Sequence, residues 1–185
     1  MSGTRTIVEQ SQKNIVIMDV FSKLVQERII FIDGVIDDQL ANGIIAQLLH
    51  LDSISKELIN IYINSPGGSV YDGLAIYDTS KIIKSPIRTV CVGMAASMGA
   101  ILMLMGKERC ATKHSRLMLH QPSGVAYGTA DDIEITHEEI QKLKKELYTI
   151  VEENSNLTNV EQLFKLDTWY NSKEALEAGL ITKIL

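Results

Sequence analysis

The sequence contains few of the residues that mark secreted or membrane proteins. Its 185 residues include only two cysteines, Cys91 and Cys110, and three prolines. Two cysteines without a CxxC pair cannot supply a disulfide framework, and this usage is typical of a reducing compartment. No apolar run reaches the roughly 20 residues that cross a bilayer, and the N-terminal residues lack the apolar core of a secretory signal. We therefore expect a cytoplasmic protein that has no membrane partner.

Positive charge is scarce as well. The 18 lysines and arginines are outnumbered by 23 aspartates and glutamates, which leaves a net charge of −5. A chain with this balance repels phosphate backbones and anionic lipid headgroups. We therefore expect no nucleic-acid partner.

Aromatic residues are few, with three phenylalanines and one tryptophan, although 45% of the chain is hydrophobic. Isoleucine, leucine, valine and methionine must therefore fill the core. The length suffices for one domain with its own core, and we expect a single domain over residues 1–185. The apolar content is high for a soluble monomer, which favours burial of surface against other copies of the chain.

Strand and helix patterns alternate along the chain with no linker, which predicts an α/β fold. Asp37 and Asp38 precede a helix pattern, a second helix is predicted near residues 70–83, and Gly124 and Gly128 have the spacing of a hairpin. The predicted strands cover residues 29–32, 58–63, 87–92, 108–111 and 116–120. The apolar face of the first helix holds Leu40, Ile44, Ile45, Leu48 and Leu49.

A long helix is predicted from about residue 130 to residue 154. Thr129 and Asp132 have the spacing of a capping box, and at about 1.5 Å per residue the helix would reach roughly 36 Å. Its apolar stripe consists of Ile133, Ile140, Leu143, Leu147 and Ile150. The pattern fits either an amphipathic helix on the body of the protein or a helix that projects from it.

The most informative stretch is Thr-Val-Cys-Val-Gly-Met-Ala-Ala-Ser-Met-Gly-Ala, residues 89–100. It predicts a strand, then a turn of small residues, then Ser97 at the start of an apolar helix. Such a strand–turn–helix presents a hydroxyl where free backbone N–H groups favour negative charge. Ser97 is therefore either an ordinary N-cap or a nucleophile.

A serine nucleophile needs a base, and the base needs an acceptor that fixes its tautomer. His120 ends the short apolar strand Leu-Met-Leu and is followed by Gln-Pro, while Asp167 precedes the β-prone Thr-Trp-Tyr. Each of them also has an ordinary interpretation, as a histidine at the core edge and as a solvated loop carboxylate. The order Ser97, His120, Asp167 permits a catalytic triad, because a triad is defined by geometry rather than by chain order.

The segment Ile-Asn-Ile-Tyr-Ile-Asn-Ser-Pro-Gly-Gly-Ser-Val, residues 59–70, is more specific. An alternating strand ends there at Gly67 and Gly68, where backbone amides can point outward with no Cβ in the way. The pair predicts either a plain strand-to-helix turn or backbone donors for an oxyanion or a bound peptide.

These segments together resemble the ClpP family, the proteolytic subunits of the ATP-dependent Clp protease. The resemblance rests on Tyr-Ile-Asn-Ser-Pro-Gly-Gly-Ser-Val (62–70), Ala-Ile-Tyr-Asp-Thr (75–79), Gly-Met-Ala-Ala-Ser-Met-Gly-Ala (93–100) and His-Gln-Pro (120–122). It runs in register from about Ile7 to Leu185.

The resemblance implies a ClpP/crotonase-like β-β-α spiral with a protruding handle helix. An N-terminal axial loop would cover about residues 1–18 and the handle region about residues 123–155. The activity implied is that of a serine endopeptidase that cleaves unfolded polypeptides through an acyl-enzyme.

The resemblance also assigns roles to single residues. Ser97 would be the nucleophile, His120 the general base and Asp167 its orienting carboxylate, while the backbone N–H groups of Gly68 and Met98 would form the oxyanion hole. The residues that would bind an extended substrate are Gly68, Ser69, Val70, Ser123, Gly124 and Val125. No metal and no cofactor in this chain is implied.

The implied assembly consists of two stacked seven-membered rings that enclose the active sites, built either from this chain alone or together with a second ClpP type. An AAA+ unfoldase would thread unfolded protein substrates through axial pores. The unfoldase would use the ATP, because this chain carries no nucleotide motif.

Several positions depart from the family pattern. Leu166 stands where the family usually has an arginine that helps to join the rings. Residues 11–18, Ser-Gln-Lys-Asn-Ile-Val-Ile-Met, replace a polar loop, which implies an axial pore that is more apolar, gated differently or paired with another surface. In the expected unfoldase-docking pocket Tyr62 is retained, whereas Cys110 and Thr112 replace apolar residues.

Ser123 and Val125 differ from the residues that usually follow His-Gln-Pro, and together these departures suggest a divergent paralogue. Two alternatives therefore stand beside the peptidase: a ring-forming structural or regulatory ClpP paralogue with little activity alone, and a crotonase-type acyl-CoA enzyme.

Overall fold

The computed structural model describes residues 6–10 and 15–185 and confirms the α/β class. Strands and helices alternate through most of the chain. In order they are β1 (Thr6–Gln10), β2 (Ile15–Asp19), α1 (Val20–Gln26), β3 (Ile29–Ile36), α2 (Asp38–Ile54), β4 (Ile59–Gly68), α3 (Val70–Ile82), β5 (Ile87–Ala96), α4 (Met98–Met103), β6 (Glu108–Ala111), β7 (Arg116–Leu119), α5 (Ala130–Asn154), α6 (Val160–Leu163), β8 (Thr168–Asn171), α7 (Ser172–Glu177) and β9 (Lys183–Ile184).

The N-terminal hairpin pairs β1 with β2 in antiparallel register, from Thr6 opposite Asp19 to Gln10 opposite Ile15. Asp19 then caps α1, since its carboxylate accepts hydrogen bonds from the backbone N–H groups of Phe21 and Ser22. The axial loop expected over residues 1–18 lies partly outside the described residues, which lack 1–5 and 11–14.

The main sheet is parallel from β3 through β4, β5 and β6 to β9. It divides along β5, whose residues 88–91 pair with β6 and whose residues 94–96 pair with β7. Gly93, with a φ of 81°, lies between the two halves, where a positive φ favours glycine. This division directs the last residues of β5, and Ser97 after them, towards β7.

The core consists mainly of aliphatic side chains from the sheet and from the helices packed on it. Helix α4 contributes most completely, since all six of its residues are buried. Helix α2 begins as expected, with the Asp37 carboxylate accepting from the Leu40 N–H at 2.8 Å. Its predicted face is partly wrong, because Leu49 is 48% exposed while Ala41 and Leu51 are buried.

Helix α5 has 25 residues and the predicted capping box between Thr129 and Asp132. Its buried residues are Leu147, Tyr148 and Val151, all in the C-terminal half, whereas Ile133 is 46% exposed. The first half therefore stands away from the core, as a projecting helix would. No helix in residues 6–10 and 15–185 combines the length and apolar character that a bilayer crossing needs.

The hairpin expected around Gly124 and Gly128 is wrong. Residues 120–129 contain no strand, and the segment is held by a bond from the Gln121 N–H to the Phe164 carbonyl at 2.8 Å. An isolated pair of short strands is only marginally stable in water. Gly124 instead packs against Ile140 of α5, and Gly128 lies against the carboxylate of Asp132.

Candidate active site

Three neighbouring strand ends bring Ser97, His120 and Asp167 together. Strands β5 and β7 are parallel, so Ser97 and His120, which follow them, lie at the same edge, and the Ser97 N–H donates to the Met118 carbonyl at 2.8 Å. Strand β8 runs antiparallel to β7 with Thr168 opposite Leu119. The residue before β8 therefore lies beside the residue after β7.

His120 bridges the other two side chains. Its Nε2 lies 2.9 Å from Ser97 Oγ, and its Nδ1 lies 3.1 Å from Asp167 Oδ1. Both distances suit hydrogen bonds. The tautomer that satisfies both donates from Nδ1–H to the carboxylate and accepts from the serine hydroxyl at Nε2.

The N-cap interpretation of Ser97 is wrong. Ser97 occupies the position before α4, but its side chain makes no capping hydrogen bond. Its backbone has a φ of 54° and a ψ of −123°, a conformation that costs a non-glycine residue about 1–3 kcal/mol and that clusters at functional sites. The hydroxyl is thus directed to His120 and not to the helix.

The turn at Gly67 and Gly68 packs directly on this serine. A Cβ on Gly67 would lie 2.7 Å from both the Ala96 carbonyl oxygen and Ser97 Cβ, and a Cβ on Gly68 would lie 2.1 Å from the Ile36 carbonyl oxygen. Only glycine allows this approach. Beside the turn, Met98 is the first residue of α4, so its N–H has no intrahelical acceptor.

The carboxylate end of the site is open. The Asp167 side chain is 62% exposed, against 28% for His120, and the preceding Leu166 is 79% exposed. The loop is fixed from within by Thr168, whose hydroxyl donates to the carbonyls of Leu163 and Leu166. Water therefore competes for the carboxylate in the isolated subunit.

A narrow cavity of about 20 Å³ lies beside Ser97 and His120. It is enclosed by the start of α3, by α4, by the C-terminal half of α5 and by Phe164. The other lining residues are Val70, Met98, Ile101, Leu119, Pro122, Leu147, Tyr148 and Val151. The site therefore offers an apolar recess next to its hydroxyl.

A wider groove of about 460 Å³ adjoins the recess and shares Val70 and Pro122 with it. Ser123, Gly124 and Val125 form one side of the groove. Ser69 lies just before it, and its side chain caps α3 by accepting from the Asp72 N–H. The two segments predicted to bind substrate thus lie near one channel that leads to Ser97.

Two of the residues expected at a docking pocket lie in one row across the sheet, because Tyr62 is paired with Val90 and Val90 with Cys110. Cys110 is fully buried, whereas Tyr62 is half-buried and stacks on Phe31 with ring centroids 5.3 Å apart. Phe21 of α1 packs edge-on against Phe31, with ring centroids 5.6 Å apart. Tyr62 therefore belongs to an aromatic row next to α1.

Sequence reasoning missed Tyr148. The predicted stripe of α5 included Leu147 but passed over its neighbour, which is 8% exposed and lines the recess. The available signal was the i, i+3 spacing of Tyr148 and Val151. A stripe chosen from aliphatic residues alone leaves the tyrosine out.

A comparison with protein families agrees with this geometry. The family model described as Clp protease matches residues 11–185. The chain belongs to the Clp protease family. This membership decides against the crotonase-type alternative.

Curated members of the Clp protease family resemble the chain along nearly its whole length. The ATP-dependent Clp protease proteolytic subunit of Bacteroides thetaiotaomicron is 52% identical, over 97% of this chain and 84% of its own length. The subunit of the same name from Porphyromonas gingivalis is 50% identical over 97% and 83%. Proteolytic subunit 1 of Salinibacter ruber is 44% identical over 97% and 79%.

Among the described residues, no cluster of three or more histidine, cysteine, aspartate or glutamate side chains has the arrangement of a metal site.

Proposed function

We propose that this chain is a serine endopeptidase, the proteolytic subunit of an ATP-dependent Clp protease. The observation that carries the proposal is the position of His120 within hydrogen-bond distance of both Ser97 Oγ and Asp167 Oδ1. A serine hydroxyl becomes a useful nucleophile only when an oriented base takes its proton.

In the proposed reaction, Ser97 Oγ attacks the carbonyl carbon of a peptide bond while its proton passes to His120 Nε2. The carbonyl oxygen becomes an oxyanion that accepts hydrogen bonds from the N–H groups of Gly68 and Met98. Protonated His120 then gives its proton to the leaving amine, and an acyl-enzyme remains. Water repeats the attack with His120 as base and releases Ser97.

Asp167 is assigned the role of holding His120. Its carboxylate accepts from Nδ1–H, which leaves Nε2 free of a proton and facing Ser97. It also stabilises the imidazolium that forms after the first proton transfer.

The proposed substrate is an unfolded polypeptide bound in extended form. It would pair by strand addition with the backbones of Gly68–Val70 on one side and Ser123–Val125 on the other. The groove supports this assignment because it passes between Val70 and Ser123–Val125. Backbone recognition would make the site tolerant of sequence.

We further propose an assembly of two stacked seven-membered rings, homomeric or mixed with a second ClpP type, which works in the cytoplasm with an AAA+ unfoldase that uses the ATP. The projecting half of α5 supports ring pairing, because it leaves Ile133 46% and Ile135 66% exposed. Enclosure would protect folded proteins from a peptidase of low sequence specificity. No metal or cofactor of this chain takes part.

The exposure of Asp167 favours one second candidate, a ring-forming structural subunit with little activity alone. Because the Asp167 carboxylate is 62% exposed, water competes with His120 for its hydrogen bonds. Leu166, in place of the usual arginine, removes a polar contact between the rings that would cover it.

Labelling with a fluorophosphonate separates the two candidates. Assembled protein is treated with the probe and read by intact mass, beside Ser97→Ala and a surface-serine control, Ser53→Ala. Stoichiometric labelling that vanishes only in Ser97→Ala supports the peptidase. Absence of labelling in assembled rings would contradict it and favour the structural subunit.

A further inference from the structure

Ser65 is a buried polar side chain in the last part of β4, two residues before the turn at Gly67 and Gly68. It is 0% exposed, and its hydroxyl has two backbone partners. Its Oγ donates to the Gly34 carbonyl at 2.6 Å and accepts from the Gly67 N–H at 3.1 Å. Buried hydroxyls are generally hydrogen-bonded, and these two bonds join the glycine turn to β3.

The Ser65 hydroxyl takes the place of a missing backbone donor. The Asn60 N–H donates to the Arg28 carbonyl at 2.9 Å, and the donors of a parallel strand recur at every second residue. The donor due to the Gly34 carbonyl would therefore be the N–H of residue 66, which is Pro66 and has none. The register of β3 and β4 shifts at this point, and the Ser65 hydroxyl satisfies the carbonyl instead.

Ser65 also contacts the segment that carries the nucleophile. It is paired with Ala95 on β5, two residues before Ser97. A Cβ on Gly99 would lie 3.0 Å from the Ser65 carbonyl oxygen and 3.3 Å from Ser65 Cβ, so α4 packs closely on Ser65. Ser65 therefore lies between β3, the glycine turn and the start of α4.

The chain is anchored separately beyond Gly68. The Ser69 N–H donates to the Ile36 carbonyl at 2.8 Å, and the Ser69 side chain caps α3. The residues from Ser69 onward are therefore held by β3 and α3 independently of Ser65. Gly67 and Gly68 lie between the two anchors, and the partner of the Gly67 N–H is the Ser65 hydroxyl.

We propose that Ser65 is a positioning residue that holds the glycine turn so that the Gly68 N–H faces the developing oxyanion. The inference rests on the proposed function, in which the N–H groups of Gly68 and Met98 receive that oxyanion. Catalytic groups need neighbours that hold them within about half an ångström of the productive geometry. Without the Ser65 hydroxyl, the Gly67 N–H and the Gly34 carbonyl lose the bonds that fix the turn.

Ser65→Ala should therefore slow the chemical step more than it weakens substrate binding. Complete removal of one oxyanion donor lowers kcat by about 100- to 1,000-fold. A donor that is displaced but still present should cost less, so we expect kcat for a fluorogenic peptide to fall about ten- to 100-fold. KM should stay within about twofold, because the backbone from Ser69 onward keeps its own anchors.

Ser172→Ala is the matched control. Ser172 is 2% exposed, and its hydroxyl donates to the Thr112 carbonyl at 2.8 Å. It follows Asn171, which pairs with Arg116 at the end of β7 remote from His120. Both variants lose buried hydrogen bonds, so both should have a lower melting temperature, whereas kcat should stay within about twofold of wild type in Ser172→Ala.

The test compares assembled wild-type protein with both variants by kcat and KM for one peptide and by inhibition with a peptide boronic acid. The boronate adduct of Ser97 is tetrahedral and places an oxygen where the oxyanion forms. Its inhibition constant should therefore rise in Ser65→Ala by about the factor that kcat loses. The dissociation constant of the same peptide as a simple amide, which forms no adduct, should not change.

A lower melting temperature of Ser65→Ala with an unchanged kcat and inhibition constant would overturn the inference, because the role of Ser65 would then be purely structural. A raised KM with an unchanged kcat would overturn it as well. If Ser65→Ala does not assemble, Ser65→Cys replaces it. Cysteine is similar in shape but a weaker donor and acceptor, and it should lower kcat about three- to tenfold with KM unchanged; an unchanged kcat would refute the role.

The wild-type protein separates this inference from the proposed function. If wild-type rings cleave no peptide, the proposed function itself fails. Cleavage by wild-type rings with an unresponsive Ser65→Ala would refute only the role of Ser65.

Discussion

The Gly67→Ala substitution should inactivate the site by moving Ser97. A Cβ at position 67 would lie 2.7 Å from both the Ala96 carbonyl oxygen and Ser97 Cβ, and 3.0 Å from the Met98 nitrogen. Ordinary contact begins at 3.4 Å, so the first two contacts are about 0.7 Å too short. All three atoms belong to the turn that holds the nucleophile, and none is the flexible end of a side chain.

The magnitude follows from two separate costs. Gly67 has a φ of +96°, and alanine in the left-handed region costs about 1–2 kcal/mol of unfolding free energy. The overlap adds about 1–3 kcal/mol unless the turn shifts. A misplacement of about 1 Å can cost about 100-fold in rate, so a shift of about 0.7 Å at Ser97 should lower the rate of acylation at least tenfold.

Gly34→Ala is the matched control, because Gly34 has a φ of +79° but its added Cβ would meet no atom of the described residues within 4 Å. It should share the backbone cost, about 2–4 °C of melting temperature per kcal/mol in a chain of this size, and keep its acylation rate. The assay is the second-order rate constant of fluorophosphonate inactivation, with melting temperature and oligomeric state as controls. Equal rates for Gly67→Ala and Gly34→Ala would refute the argument that the turn positions Ser97.

Three further predictions concern single side chains. Asp167→Asn should lower kcat/KM for a peptide by about two to four orders of magnitude, because the amide favours the wrong tautomer of His120; a loss below tenfold would indicate another orienting group. Hydrogen bonds from Lys56 and from Ser85 lower the pKa of Asp52, so its stabilisation is complete above the unfolded value near 3.8 and is lost as the pH falls below it. The melting temperature should therefore decline between about pH 5 and 3, and less steeply in Asp52→Asn; parallel curves would contradict this. Burial raises the pKa of Cys91 to about 11, so iodoacetamide at pH 8 should modify it only after unfolding, as peptide mass mapping would detect.

Local signals in the sequence predicted the elements well where the physics is local. The N-cap of α2 at Asp37 and the capping box of Thr129 and Asp132 depend on side chains bonding to backbone groups within three residues. Such bonds form whatever the rest of the chain does.

Predictions failed where a distant neighbour decides the outcome. Leu49 fits the periodicity of α2 but is exposed, since the packing of α2 buries Ala41 and Leu51 instead. The hairpin at residues 124–128 has suitable glycines, yet the segment is held by Phe164 and by α5. Periodicity gives a face but not the partner that covers it.

The sequence alone determined the class of fold, the family resemblance and the candidate set Ser97, His120 and Asp167, because these are written in motifs and strand patterns. Only the tertiary structure decided that the three side chains meet. Their contact depends on the division of β5 and on the antiparallel pairing of Leu119 with Thr168, which joins segments about fifty residues apart and leaves no local signal. It also decided the surroundings of Tyr148. In the sequence Tyr148 is an ordinary helical residue, whereas in the fold it lines the recess beside Ser97 and its buried hydroxyl has no hydrogen-bond partner among the described residues.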